Sequence, residues 1–238
     1  MAIWAIGDLH FSGEIESKPM SKFGNNWQGH RQAIATNWRR LVDPTDTVIL
    51  CGDTSWSLEL ADAKNKDLDF ISTLPGQKVI LKGNHDYWWT TVKKMEQLLQ
   101  NSFIFLHNSF IAVGDTAICG TRGWNLPTMA SFTQHDEAMY TREGMRLEHS
   151  LSAAKAQGFK KIIVALHYPP IYNEAESSVF TELCDEYEVE KCVYGHIHGA
   201  AADALHIFQG TKGSTTYQLV ACDFIKFAPL LLEQENSQ

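Results

Sequence analysis

The sequence contains no Cys-x-x-Cys pair and no run near the roughly 18 apolar residues of a membrane span. It also lacks the basic start and long apolar core of a signal peptide, since it begins MAIWAIGDLH. A cytoplasmic protein with no membrane partner is therefore expected. The five cysteines, Cys51, Cys119, Cys184, Cys192 and Cys222, are odd in number and scattered, which suggests neither a disulfide framework nor a thiolate zinc site. They read as small buried apolar residues. Positive charge is scarce: 20 Lys and Arg stand against 28 Asp and Glu, for a net charge of −8. That weighs against non-specific binding to nucleic acid, and an anionic substrate would need local positive charge. No stretch has the polar bias of a disordered tail or linker, so the 238 residues read as a single domain spanning 1–238.

What is present is an alternation of short apolar runs with helical patterns, without internal repeat or low-complexity sequence. Strands are predicted at Ala2 to Ile6, Thr47 to Cys51, Lys78 to Leu81, Lys161 to Leu166 and Cys192 to Tyr194. Helices are predicted from Ile34, Trp38, Leu41 and Val42, from Leu58, Leu68, Ile71 and Leu74, from Val92, Met95 and Leu99, over roughly His135 to Gln157, and over Val179 to Tyr187. Phe103 to Leu106, Phe110 to Val113 and Thr116 to Cys119 look like antiparallel pairing around the Gly114-Asp115 turn. Leu205 to Phe208 and Thr215 to Cys222 read as a closing hairpin. The class is α/β, two sheets with helices outside.

The polar residues fall at the carboxyl ends of five predicted strands: Asp8 and His10, Asp53, then Asn84, His85 and Asp86, then His167, then His196 and His198. Ligands of α/β sheets bind at these ends, so segments spread along the chain can converge on one edge. Gly7, Gly52, Gly83 and Gly195 precede four of the clusters and permit tight turns and close backbone approach. Singly, each piece fits an ordinary loop; five together at strand ends do not. Carboxylate, imidazole and amide oxygen without thiolate suit manganese first, and iron or zinc next. Asp8, His10, Asp53, Asn84, His167, His196 and His198 are enough for two ions if one carboxylate bridges them at roughly 3.5–4 Å. In an extended segment residues i and i+2 point the same way, so His196 and His198 can enter one pocket, one toward each ion.

Gly-Asp-Leu-His at Gly7 to His10, Gly-Asp at Gly52 and Asp53, Gly-Asn-His-Asp at Gly83 to Asp86, His167, and Gly-His-Ile-His at Gly195 to His198 resemble the calcineurin-like metallophosphoesterases, in the family's order and over nearly the whole chain. The resemblance implies a four-layer α/β/β/α sandwich and hydrolysis of a small phosphomonoester or phosphodiester with two divalent ions. By the same resemblance Asp8, His10, Asp53 and His198 hold one ion, and Asp53, Asn84, His167 and His196 the other. The implied mechanism is in-line attack by a metal-bridging hydroxide, with His85, a non-ligand, assisting the leaving oxygen.

Departures from the family narrow the reading. Thr54-Ser55-Trp56 follows Asp53 in place of the Asp-Arg-Gly of the Ser/Thr protein phosphatases, which argues against that activity, and the long segment from Phe11 to His30 resembles an uncharacterised bacterial branch. That segment is expected to be a lid or substrate wall, with Lys18, Lys22 and His30 as candidate anion contacts, or else a solvated loop. Arg122, in GTRGWNLP, is a second candidate phosphate contact. Tyr87, Trp88 and Trp89 are expected to pack in the core. Two alternatives remain beside the phosphoesterase: a non-catalytic metal-bound interaction scaffold, which should have lost ligands or His85, and a nuclease, which lacks a visible basic stripe.

Overall fold

The computed structural model describes residues 1–14, 18–100, 102–199 and 207–234. In chain order the strands are β1 (Ala2–Ile6), β2 (Thr47–Leu50), β3 (Gln77–Ile80), β4 (Phe103–Phe105), β5 (Phe110–Val113), β6 (Thr116–Gly120), β7 (Lys161–Ala165), β8 (Lys191–Tyr194), β9 (Gly210–Lys212), β10 (Thr215–Leu219) and β11 (Leu230–Gln234). The helices are α1 (His30–Leu41), α2 (Leu60–Ala63), α3 (Asp69–Ser72), α4 (Val92–Leu99), α5 (Gln134–Ala156) and α6 (Val179–Glu186), with a π turn at Lys64–Leu68 joining α2 to α3. One sheet runs β11-β1-β2-β3-β4 and the other β5-β6-β7-β8-β10-β9. Each is parallel except where β11, β5 and β9 close it with antiparallel pairs.

The layering follows from side-chain alternation along strands buried on both faces. In the first sheet Ile6, Val48, Leu50 and Ile80 turn outward onto Ile34 and Trp38 of α1, Ile71 of α3 and Met95 of α4. Their neighbours Ile3, Ala5, Ile49, Cys51, Val79 and Leu81 turn inward onto Ile118, Ile163, Ala165 and Val193 of the second sheet. The outer face of that sheet, including Ala117, Ile162, Val164 and Tyr194, packs on Leu147 and Leu151 of α5 and Phe180 of α6. The result is helix, sheet, sheet, helix. Capping boxes fix the starts of the two helices on the second sheet, Thr133 with Asp136 for α5 and Ser178 with Thr181 for α6. No helix among the described residues is long and apolar enough to cross a membrane.

Three elements differ from expectation. The apolar run at β4 pairs parallel with β3 and belongs to the first sheet, while β5 opens the second. A short apolar run carries no period that distinguishes these partners, and the few residues between β4 and β5 imitate a hairpin. The closing hairpin forms from Gly210–Lys212 and Thr215–Leu219, and the expected residues 205 and 206 lie outside the described segments. β11 was not expected: of its five residues only Leu232 is buried, so it lacks an apolar stripe.

Trp38 is fully buried in the outer layer and donates its indole N–H to the Pro75 carbonyl at 2.9 Å. Trp38→Ala is expected to lower unfolding stability by about 3–5 kcal/mol, seen as a reduced urea midpoint with an unchanged denaturant slope. A loss below about 1 kcal/mol would contradict this packing.

Candidate metal centre

The loops after β1, β2, β3, β7 and β8 meet at the carboxyl edge of the two sheets. The chain reaches that geometry by unusual backbone. Asp8, His10, Asp53 and His196 adopt φ of 58°, 48°, 51° and 74°, in the left-handed region that non-glycine residues rarely enter. Two glycines make room: a Cβ on Gly83 would collide with the backbone nitrogen and Oδ1 of Asp53, and one on Gly195 with Oδ2 of Asp8.

The seven donors fall into two groups. On one side His10 Nε2 lies 2.9 Å from His198 Nε2, with Asp8 within ligand range of both. On the other, Asn84 Oδ1 lies 2.6 Å from His167 Nε2 and 2.9 Å from His196 Nδ1. Asp53 Oδ2 stands between them, 3.7 Å from His10 Nε2 and 3.6 Å from His167 Nε2. It is buried and has no hydrogen-bond partner among the described residues. His196 and His198 turn toward different groups by a left-handed turn at His196 and not by the expected extended i, i+2 pleat.

The positions of the ring protons set what this pocket needs. His167 Nδ1 faces the Cys51 carbonyl at 2.9 Å, a pure acceptor, so Nδ1 carries the ring proton and Nε2 is bare. A bare nitrogen and an amide oxygen then face each other as acceptors at 2.6 Å, beside an orphaned carboxylate oxygen. Such a cluster of buried acceptors fits a divalent cation. Burial sets the protonation states to match. It lowers the imidazoles of His167, His196 and His198 to about 3, about 2 and about 4, all three also through neighbouring histidines, and depresses His10 as well. Burial raises Asp53 to about 6, and burial with the Asp53 charge raises Asp8 well above its ordinary value. The imidazoles are thus neutral and ready to ligate, while the carboxyls are short of positive charge.

A residue whose role the sequence did not disclose organises this edge. Asp86 is fully buried and accepts from the backbone N–H of Gly83 (2.8 Å), Asp53 (2.9 Å), Thr54 (2.9 Å) and Ser55 (3.3 Å) and from the Trp88 indole (2.9 Å). It ties the β2 loop to the β3 loop, and burial with the Asp53 charge lifts its pKa to about 7. Its nearest signal was its place at the end of Gly-Asn-His-Asp. In the same way the His85 backbone N–H holds Asp53 Oδ1 at 2.7 Å, and the His196 N–H is 3.0 Å from both Asp8 oxygens.

The other predicted residues are placed differently. His85 packs its ring 4.6 Å from Trp56 and 5.8 Å from His10, outside the donor groups. Trp56, not singled out in the sequence as a site residue, also stacks on His10 at 4.6 Å. Lys18 Nζ lies 4.7 Å over Trp56, beside a cavity of about 300 Å³ that Lys22 and Phe23 also line. His30 is buried, its ring nitrogens 3.1 Å from the Trp27 and Leu9 carbonyls, so the ring anchors its segment in place of the expected exposed anion contact. Met20 and Trp27 of the same segment are core residues, and Trp27 lies 5.6 Å from the His198 ring. Arg122 sits over Trp124 at 4.2 Å, 4.0 Å from Glu143. Trp88 is buried and Trp89 packs against the core as expected, but Tyr87 is 59% exposed, its ring 6.2 Å from His85.

Gly83→Ala pushes Asp53 out of place, so metal affinity is expected to fall by about 10–100-fold or more, measured by elemental analysis. Wild-type metal content would contradict the crowding described. A pH experiment separates the donors. Without metal, His167, His196 and His198 are neutral down to about pH 4, whereas Asp53 keeps its proton up to about pH 6. Metal binding below pH 6 is therefore expected to release a proton from Asp53, while NMR of the metal-free protein at pH 5 shows neutral rings for these histidines. Imidazolium signals from them at pH 5 would contradict this.

No curated protein sequence matches the chain. Among solved structures, a protein of unknown function from Aquifex aeolicus matches with TM-score 0.52 at 16% identity, over 97% of this chain and 95% of its own. The sulfate thiohydrolase SoxB of Thermus thermophilus (TM-score 0.48, 13% identity, 92% of this chain and 51% of that one) and the calcineurin-like phosphoesterase YfkN of Bacillus subtilis (0.48, 14%, 99% and 86%) are more distant likenesses. The calcineurin-like phosphoesterase family model matches residues 1–200, a span that includes every donor above. The chain therefore belongs to the calcineurin-like phosphoesterase family and is a metal-dependent hydrolase.

Proposed function

We propose that the protein hydrolyses a small phosphomonoester or phosphodiester at a dinuclear centre in which Asp8, His10, Asp53 and His198 hold one divalent ion and Asp53, Asn84, His167 and His196 the other. The observation that carries this reading is Asp53 Oδ2, buried, unpaired and nearly equidistant from an imidazole of each group. Two divalent ions, when bound, supply an activated water and neutralise charge on the phosphoryl oxygens. The donor set of oxygen and nitrogen without sulfur favours manganese, with iron or zinc as the alternatives.

The chain's own residues do the rest. Asp53, held through Oδ1 by the His85 N–H, keeps Oδ2 aimed between the two donor groups. His85, beside the centre but outside its donor groups, protonates the leaving oxygen. Arg122 is the candidate contact for a phosphoryl oxygen. The net charge of −8 supports a small substrate over a nucleic acid. Retention of all seven donors and of His85 favours catalysis over a binding scaffold. Five free, buried cysteines support a reducing, cytoplasmic setting.

His85→Ala is expected to leave the bound metal in place and cut turnover by about 10² to 10⁴ for esters of poorly departing alcohols. The loss is expected to be smaller for a nitrophenyl ester, whose leaving group departs without a proton. Equal losses on both would mean that His85 acts on the phosphoryl oxygens, and no loss on either removes it from the mechanism.

A further inference from the structure

A second polar cavity, of about 230 Å³, opens on the same carboxyl edge. Its walls come from the ends of three strands and from α5: Lys82 after β3, His107 after β4, Thr121 and Arg122 after β6, and Glu143 and Arg146 of α5. Strand carboxyl ends are where this architecture receives ligands. Glu143 is the one carboxylate among the described lining residues, and it is already engaged. It is 1% exposed, bound by Arg146 Nη1 at 2.6 Å and by the Thr121 hydroxyl, with Arg122 Nη2 4.0 Å away. Lys82 Nζ makes no ion pair among the described residues. Along the wall itself three cations stand against one carboxylate, an excess of two positive charges in a protein whose net charge is −8, and the further carboxylates that favour the charge of Lys82 and Arg122, Asp86 and Asp53, belong to the metal edge. That excess equals the charge of one phosphate dianion.

A purely structural ion-pair network does not account for the excess. Glu143 and Arg146 would suffice to pair each other, and gathering Lys82 and a mostly buried Arg122 around them adds repulsion. Burial already holds the Arg122 guanidinium below its ordinary pKa. The fork of an arginine, a lysine and the exposed His107 imidazole around a concave wall instead matches phosphate recognition. We propose that this cavity binds a phosphate group separate from the one at the metal centre. The two sites share loops: Lys82 directly precedes Gly83 and Asn84, and the Arg122 carbonyl accepts from the N–H of His167 (3.0 Å) and Tyr168 (2.9 Å). A molecule carrying two phosphates could therefore lie across both, with Arg122 between them.

Inorganic phosphate titrated by calorimetry into the manganese-loaded full chain tests this. The expected result is two phosphates per chain, one lost on chelating the metal and the other weakened about 10–100-fold by Arg146→Gln. Lys82→Gln, which leaves the Glu143 pair intact, is expected to do the same and carries the test if Arg146→Gln does not fold. One phosphate per chain that disappears on chelation overturns the proposal and leaves the dinuclear reading standing. One phosphate that survives chelation but yields to these variants supports the proposal while contradicting that reading. Two phosphates indifferent to both variants also overturn it. Kinetics identify the source: a substrate's own second phosphate gives a bisphosphorylated ester a KM about tenfold or more below that of its monophosphate counterpart, an advantage that Arg146→Gln removes. Free phosphate acting as an effector instead changes turnover at saturating substrate and gives no such advantage.

Discussion

The structure depends on one unfavourable arrangement: lone pairs that face one another in a buried pocket. Asn84 Oδ1 and the bare Nε2 of His167 face each other at 2.6 Å as two acceptors, and Asp53 Oδ2 beside them has no hydrogen-bond partner among the described residues. In an interior of low dielectric such a cluster is costly unless positive charge enters it. Cations at the centre would turn the same contacts into coordinate bonds and would also relieve the raised pKa of Asp8, Asp53 and Asp86. Folding and metal binding are therefore linked: a cation that binds this folded edge and not the unfolded chain stabilises the fold.

The fold supplies rigidity for this arrangement. Two sheets buried on both faces fix where five strands end, and the donors begin within a few residues of those ends. Local strain at Asp8, His10, Asp53 and His196 is held by contacts that do not involve the metal: Asp86 with its five donors, the Cys51 carbonyl on His167, and the backbone N–H groups on Asp8 and Asp53. The geometry is thus organised before the ion arrives, which is what electrostatic catalysis demands.

Much of this was legible in the sequence because it is local. Apolar runs ending in Gly-Asp, Gly-Asn-His-Asp or Gly-His-Ile-His mark both a strand end and a donor, and all seven donors read this way come together. What was not legible depends on tertiary partners. β4 and β5 are adjacent in sequence yet belong to different sheets, because short apolar runs do not name their neighbours. His30 looked like an anion contact as an isolated polar residue, but its ring closes on two carbonyls that only the folded segment brings near. Asp86 was visible only as a polar residue at a strand end, and its five donors come from two loops and an indole. The cluster of Lys82, Arg122 and Arg146 draws on two strand ends and a helix, so no sequence window contains it.

The most direct test of the account is anomalous diffraction from manganese-loaded crystals. Two peaks about 3.5–4 Å apart, with Asp53 Oδ2 between them, are the expected result. A single peak, or two peaks with the Asp53 carboxylate turned away from both, would contradict the central claim that Asp53 joins the two donor groups.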